Sequence, residues 1–126
     1  MILDASAVLA FLLREPGQDR VMDALQSEPS MSTVNLAEVV TKYVARGFTR
    51  QGERLHLELP VEFVPVDEDL AIQAALMIAI TKPLGLPLAD RICLALARRT
   101  GQTALTADRA WRDVAGALGV TVEVIR

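Results

Sequence analysis

The 126-residue chain is poor in the side chains that most often carry cross-links or catalysis: it has one cysteine, Cys93, and one histidine, His56. A lone cysteine forms no internal disulfide, so the sequence predicts a reducing, cytoplasmic setting and a fold held by its core alone. Zinc bound through Cys and His is excluded for want of ligands, and a histidine acid–base pair is excluded as well. His56 stands in a segment of mixed charge and reads as a surface residue; Cys93 stands in an apolar helix and reads as core. There is no glycine-rich phosphate loop, because the turn after the first strand reads Asp4-Ala5-Ser6. No apolar run approaches the roughly 20 residues of a membrane span, since Leu70 to Ile80 is short and Gln73 interrupts it. The opening MILDASAV lacks a basic leader region, and no signal peptide is predicted. Lysine is also scarce: of 13 basic residues only Lys42 and Lys82 are lysine.

What is present is apolar mass, arginine and carboxylate. The apolar share is 52 % and mean hydropathy +0.32, which excludes a disordered chain and predicts one domain over 1–126 with a sizeable core. Guanidinium groups pair with phosphate through two hydrogen bonds and stack on bases, so an arginine-dominated basic set suits nucleic acid. A net charge of −3 does not oppose this if basic and acidic side chains are segregated. Lys42, Arg46, Arg50 and Arg54 recur every four residues, with Gly47 breaking the register between two helices. The series fits a solvated face or the wall of a groove that tracks phosphates.

Strand-like and helical segments alternate. Met1–Leu3 is a short apolar strand and Ala5–Leu13 a helix. Pro16 is placed to open a second helix through Gln26. Ser30–Thr33 is a strand, and Val34–Arg46 and Thr49–Leu59 are helices stopped by Gly47 and Pro60. Val61–Val66 is a strand. Asp67 is a good N-cap for a long helix, Glu68–Thr81, and Lys82–Pro87 is a loop. Helix Leu88–Arg99, strand Thr103–Leu105, helix Asp108–Leu118 and strand Val120–Ile125 complete the chain. Such alternation predicts an α/β fold with a mostly parallel sheet of four or five strands, covered on both faces.

In open α/β sheets, sites lie beyond the carboxyl ends of the strands. Asp4 and Asp108 fall there, although Asp4 or Ser6, and Asp108, are equally placed to cap the helices that follow. Asp90 is in the first turn of a helix that is apolar nearly all round. An unpartnered carboxylate is costly to bury. Asp90 therefore reaches solvent in a cleft, pairs with an arginine such as Arg91, or binds a cation. Glu38 lies opposite the apolar stripe of its helix with Thr41, Lys42 and Ala45, on a solvated face or a groove wall. Oxygen donors of this kind suit hard cations, Mg²⁺ or Mn²⁺.

Four segments resemble those of PIN domains, specifically the VapC-like ribonuclease toxins of toxin–antitoxin systems: MILDASAVLAFLL, STVNLAEVV, LPLADRICLALARRTG and TALTADRAW, in family order over nearly the whole chain. The resemblance implies a PIN-like three-layer sandwich with strand order 3-2-1-4-5 and a Mg²⁺- or Mn²⁺-dependent endoribonuclease. It implies a catalytic quartet of Asp4, Glu38, Asp90 and Asp108, with metal on Asp4, Asp90 and Asp108 and Glu38 orienting water or holding a second ion. Ser6 and Thr106 match the family's polar helpers, and Asp113 is a possible extra acid. In-line attack leaving a 3′-hydroxyl and a 5′-phosphate, an RNA substrate, a homodimer and a cognate antitoxin are implied with it. Phe11, Leu12 and Leu13, near Val21 and Leu25, offer either core packing or a surface for that antitoxin. Haloacid-dehalogenase phosphatases need a second Asp where Ser6 stands, and receiver domains need an acidic pair and a lysine that this chain lacks. A non-catalytic PIN scaffold that binds RNA or a partner protein remains the alternative.

Overall fold

The computed structural model describes residues 1–126. Its elements are β1 (Ile2–Leu3), α1 (Ala5–Leu12), α2 (Gln18–Leu25), β2 (Ser30–Ser32), α3 (Thr33–Ala45), α4 (Thr49–Glu58), β3 (Glu62–Val64), α5 (Glu68–Leu76), α6 (Ile78–Thr81), α7 (Leu88–Thr100), β4 (Ala104–Thr106), α8 (Arg112–Leu118) and β5 (Val122–Val124). The strands form one five-stranded sheet in the order β3-β2-β1-β4-β5, parallel throughout. This is the expected order.

Because successive side chains of a strand point to opposite faces, the sheet supports two cores. Ile2 and Ala104 join Leu70, Ala74, Ile92, Leu96, Trp111, Val114 and Leu118 on the face covered by α5, α7 and α8. Leu3 and Leu105 join Val8, Val21, Met31, Val39 and Leu55 on the face covered by α1 to α4. The central strands are only two or three residues long and are buried on both sides, which is why they read as apolar runs without alternation. Phe11, Leu12 and Leu13 are partly buried against the second core.

Several boundaries differ from expectation. Pro16 does not open α2; the helix starts at Gln18 behind Gly17, whose φ of 93° only glycine adopts comfortably. The long helix after Asp67 does form, and Asp67 accepts from the Leu70 amide at 2.8 Å. It is interrupted at Met77, which turns into the core at 2 % exposure. The stretch expected as a loop contains a 3₁₀ turn, Lys82–Leu84. The helix expected from Asp108 begins with a 3₁₀ turn, Arg109–Trp111, before α8. Thr106 belongs to β4 and is not a loop residue.

Gly17 also sits against the far end of the sheet: a Cβ there would meet Ile125 Cγ1 at 2.7 Å and the Ile125 carbonyl oxygen at 2.8 Å. Gly17→Ala combines a left-handed backbone with a steric clash and is expected to cost about 2–4 kcal/mol. A urea titration with unchanged slope and a lowered midpoint checks this; an unshifted midpoint would remove Gly17 from the packing account.

Candidate metal centre

Parallel order 3-2-1-4-5 leaves a crevice where the chain reverses direction across the sheet, between β1 and β4. Asp4 follows β1 directly and Thr106 ends β4, so they face each other across it. Asp4 is 3 % exposed and Thr106 fully buried. Asp4 Oδ2 accepts from Ser6 Oγ at 2.5 Å and from Thr106 Oγ1 at 2.9 Å. Ser6 Oγ in turn accepts from the Ala107 amide at 2.9 Å, and Thr106 Oγ1 from the Asp108 amide at 3.0 Å. Asp4 makes no side-chain cap to α1, so its carboxylate is committed to the crevice.

The other acids arrive on helices. Ser32 caps α3 by accepting from the Asn35 amide at 3.0 Å, and this start fixes Glu38 one turn along. Buried Asn35 then donates to the Ala89 carbonyl at 3.0 Å, which ties α3 to the first turn of α7 beside Asp90. Asp90 Oδ2 accepts from Trp111 Nε1 at 3.2 Å. Arg91 does not pair with Asp90, because it donates to the carbonyls of Leu86 and Ala74. Asp4, Glu38 and Asp90 can each offer a carboxylate oxygen within 4.8 Å of the others.

Asp108 and Asp113 lie differently. Asp108 is outside that group of three, and its Oδ1 accepts from the Ala110 amide at 2.9 Å as a cap. Its charge still reaches Asp90, which places it at the rim. Asp113 is exposed on the first turn of α8 and is likewise outside that group. His56 is exposed and Cys93 buried, as expected.

Two oxygens in this cluster, Asp4 Oδ1 and Glu38 Oε2, are buried without any hydrogen-bond partner. Such groups are expensive to leave bare. Glu38 has only an ion pair with Lys42 at 3.2 Å, one turn along α3. The electrostatic consequence is visible across the site. Burial raises the Asp4 carboxyl above its ordinary value against the opposing pull of Ser6 and Thr106, and the Glu38 charge adds to the rise. Burial, then the charge of Asp4, pushes Asp90 up to about 7, with Trp111 opposing and Glu38 and Asp108 adding to it. Burial first, and then the charges of Asp4, Asp90 and Glu38, push the Cys93 thiol far up, which keeps it protonated and unreactive. A divalent cation answers both defects, the bare oxygens and the mutual repulsion, and the all-oxygen donor set fits one.

Sequence reasoning did not find Asn35 or Trp111. Asn35 carries a weak signal, a polar residue in the first turn of an otherwise apolar helix face. Trp111 had none beyond being the one tryptophan.

The PIN domain family model matches residues 1–117. The chain belongs to the PIN domain family. No curated protein sequence matches it. Among solved structures it is similar to FitAcB from Neisseria gonorrhoeae, with TM-score 0.72 and 22 % identity over 98 % of this chain and 96 % of that one. It is similar to VapBC2 from Rickettsia felis bound to a promoter DNA fragment, with TM-score 0.74 and 14 % identity over 98 % and 96 %. It is also similar to VapC20 of Mycobacterium tuberculosis, a toxin that cleaves the sarcin–ricin loop, with TM-score 0.73 and 19 % identity over 90 % and 93 %. PIN-domain toxins are nucleases in general, and PIN domains generally use divalent metal ions.

The raised carboxyls set the pH dependence of the metal-free protein. The folded state holds the Asp90 proton more tightly than the unfolded chain, so nothing is lost below the ordinary value of 3.8. Stability then falls as pH rises, and the full loss is reached above about 7. Discounted for the partial exposure of Asp90, the loss is about 2 kcal/mol, and Asp4 adds in the same direction. Asp90→Asn in EDTA is therefore expected to melt above wild type at pH 8 and level with it near pH 4. A variant that melts below wild type at pH 8 would make Asp90 a structural acid.

Proposed function

We propose that this chain is a Mg²⁺- or Mn²⁺-dependent endoribonuclease, the toxin of a toxin–antitoxin pair. The observation that carries the reading is the pair of buried, unpartnered oxygens of Asp4 and Glu38 converging with Asp90. The kinship with PIN-domain toxins, one of which cleaves the sarcin–ricin loop, supports RNA as the substrate.

Asp4, Glu38 and Asp90 would hold the metal, with Asp108 as the fourth acid at the rim. When bound, a divalent ion supplies a nucleophile at neutral pH and neutralises charge building on the scissile phosphate. The chain's own residues do the positioning. Ser6 and Thr106 saturate one oxygen of Asp4 and so aim the other at the cluster. Trp111 fixes Asp90 from behind. Lys42 on Glu38 puts a cation at the mouth of the crevice, where a phosphate would approach. Hydrolysis leaves a 3′-hydroxyl and a 5′-phosphate without using the 2′-hydroxyl as nucleophile, which accords with the absence of a histidine pair.

An antitoxin partner is supported by the toxin–antitoxin complexes among the similar structures. On this chain it would meet a groove of about 520 Å³ between Phe11, Met22, Leu25 and Leu59. A second copy would pack on the exposed apolar side chains Ile72, Leu76 and Ile80 of α5 and α6. No helix is long and apolar enough to cross a membrane.

Purified protein is expected to cut RNA in Mg²⁺ or Mn²⁺, to stop in EDTA, and to be inactive as Asp4→Asn or Asp90→Asn. At a concentration of Mn²⁺ near 100 times its dissociation constant, wild type should gain about 2.7 kcal/mol of stability and both variants almost none. RNA binding by wild type with no cleavage under any of these conditions supports the non-catalytic scaffold. Asp108→Asn, which keeps the cap but removes the charge, should lose activity without losing stability, whereas Asp108→Ala should lose about 1 kcal/mol as well.

A further inference from the structure

Two cavities lie end to end along the face of α3 and share Leu13 and Arg46. The first, about 410 Å³, opens beside Ser6, whose hydroxyl holds Asp4, and is lined by Leu9, Leu13, Lys42 and Arg46 together with the ion-paired Glu15 and Arg126. The second, about 480 Å³, lies further out between Leu13, Arg14, Tyr43, Arg46 and Phe48. From Glu38 through Lys42 to Arg46 the helix rises roughly 12 Å, so the two cavities form one track leading away from the acids.

The outer cavity has an unusual composition for this chain. Only 4 % of residues are aromatic, yet Tyr43 and Phe48 stack there, with ring centroids 4.6 Å apart at 16°. Phe48 keeps 37 % exposure, so the stack is not buried as core. The two arginines beside it are exposed and make no ion pair or side-chain hydrogen bond. Of the other arginines, Arg20, Arg54, Arg99 and Arg126 have carboxylate partners, Arg91, Arg98 and Arg109 are spent on carbonyl or amide oxygens, and Arg50 and Arg112 are unpaired but line neither cavity. Arg14 also holds φ of 57°, a left-handed position at the end of α1 that glycine would occupy with less strain.

We infer that Tyr43 and Phe48, with Arg14 and Arg46, form a platform that stacks an unpaired base of the RNA strand whose backbone runs past Lys42 to the carboxylates. An aromatic pair rimmed by free guanidinium groups suits single-stranded nucleic acid: a flat apolar surface for the base and unspent donors for the phosphates on either side. A duplex offers no exposed base face, so the platform selects single-stranded or looped RNA. The inference rests on the ribonuclease reading for its direction of travel, but the platform binds RNA whether or not the acids cut it.

The test uses short single-stranded RNA against the full chain. Affinity is measured by fluorescence anisotropy in the Asp90→Asn background, and cleavage is measured separately in the wild-type background. Phe48→Ala is expected to weaken RNA binding about 5- to 30-fold and to raise KM by a similar factor, as loss of one stacked base requires. Phe48→Trp should restore both. Arg14→Ala with Arg46→Ala should flatten the salt dependence of binding by about two phosphate contacts. An RNA with one abasic residue at the stacked position should bind wild type as weakly as intact RNA binds Phe48→Ala, and the two losses should not add. If Phe48→Ala and Phe48→Trp bind and cut as wild type does, with cleavage itself intact, the platform is overturned and the nuclease stands. If wild type never cleaves yet Phe48→Ala loses RNA affinity, the nuclease reading fails and the platform stands. If Phe48→Ala loses only affinity for a protein partner, the surface belongs to that partner and the inference is wrong.

Discussion

Like charges are confined at the crevice between β1 and β4, and the sheet and its helices are arranged around that confinement. Asp4 is buried there, and Glu38 and Asp90 are brought within reach of it. Holding three carboxylates together opposes folding unless something rigid does the holding. The rigid part is the sheet: Asp4 Oδ2 is fixed by two hydroxyls, Ser6 from the start of α1 and Thr106 from β4. These hydroxyls are themselves pinned by the amides of Ala107 and Asp108. The geometry of one oxygen is thereby built from both strands that flank the crevice, and the other oxygen is left bare in the direction of the neighbouring acids.

The helices answer the same constraint from outside. Asn35 uses its amide to tie α3 to α7 at Ala89, the residue before Asp90, so the elements that bring Glu38 and Asp90 are joined close to the acids they deliver. Trp111, fully buried, spends its indole N–H on Asp90. Both contacts resist the repulsion that would otherwise splay the cleft. They also explain why the two cores of the sheet meet so near the site: Trp111 belongs to one and α3 leans on the other.

Much of this was legible in the sequence, and the parts that were not share a physical reason. Parallel pairing, and the positions of Asp4 and Asp108 beyond strand ends and of Asp90 in the first turn of a helix, follow from periodicity and turn chemistry, whereas the strand order came from resemblance. The cap at Asp67 was readable because capping is local. Glu38 was ambiguous, since a helix face opposite an apolar stripe is identical in sequence whether it meets water or a groove; only the third dimension shows that Oε2 is buried. Asp108 was ambiguous in the opposite sense, and the cap and the rim position are both real. Pro16 misled because a proline at N1 and a proline one residue before a left-handed glycine look alike in one dimension. Asn35 and Trp111 act through partners 54 and 21 residues away, a distance over which no sequence period carries information.

The distribution of arginine bears on an apparent contradiction, an acidic total beside the nucleic-acid substrate proposed above. Net charge governs long-range approach, but contact within a Debye length of about 8 Å is decided by local charge. Most guanidinium groups are consumed internally: Arg20 on Glu123, Arg99 on Asp67 and Asp69, Arg126 on Glu15 and the Pro16 carbonyl. These pairs neutralise acids and hold loops in place, and the Glu15–Arg126 pair does so on the wall of the inner cavity itself. Lys42 is different, because its partner Glu38 is one of the converging acids. A cation bound by Glu38 would weaken its hold on Lys42 and free that ammonium for phosphate, so filling the site would strengthen the attraction of the track beside it. Metal and strand would then favour one another through a shared carboxylate, so that under the proposed function a chain of net charge −3 would hold a polyanion beside the acids and not elsewhere.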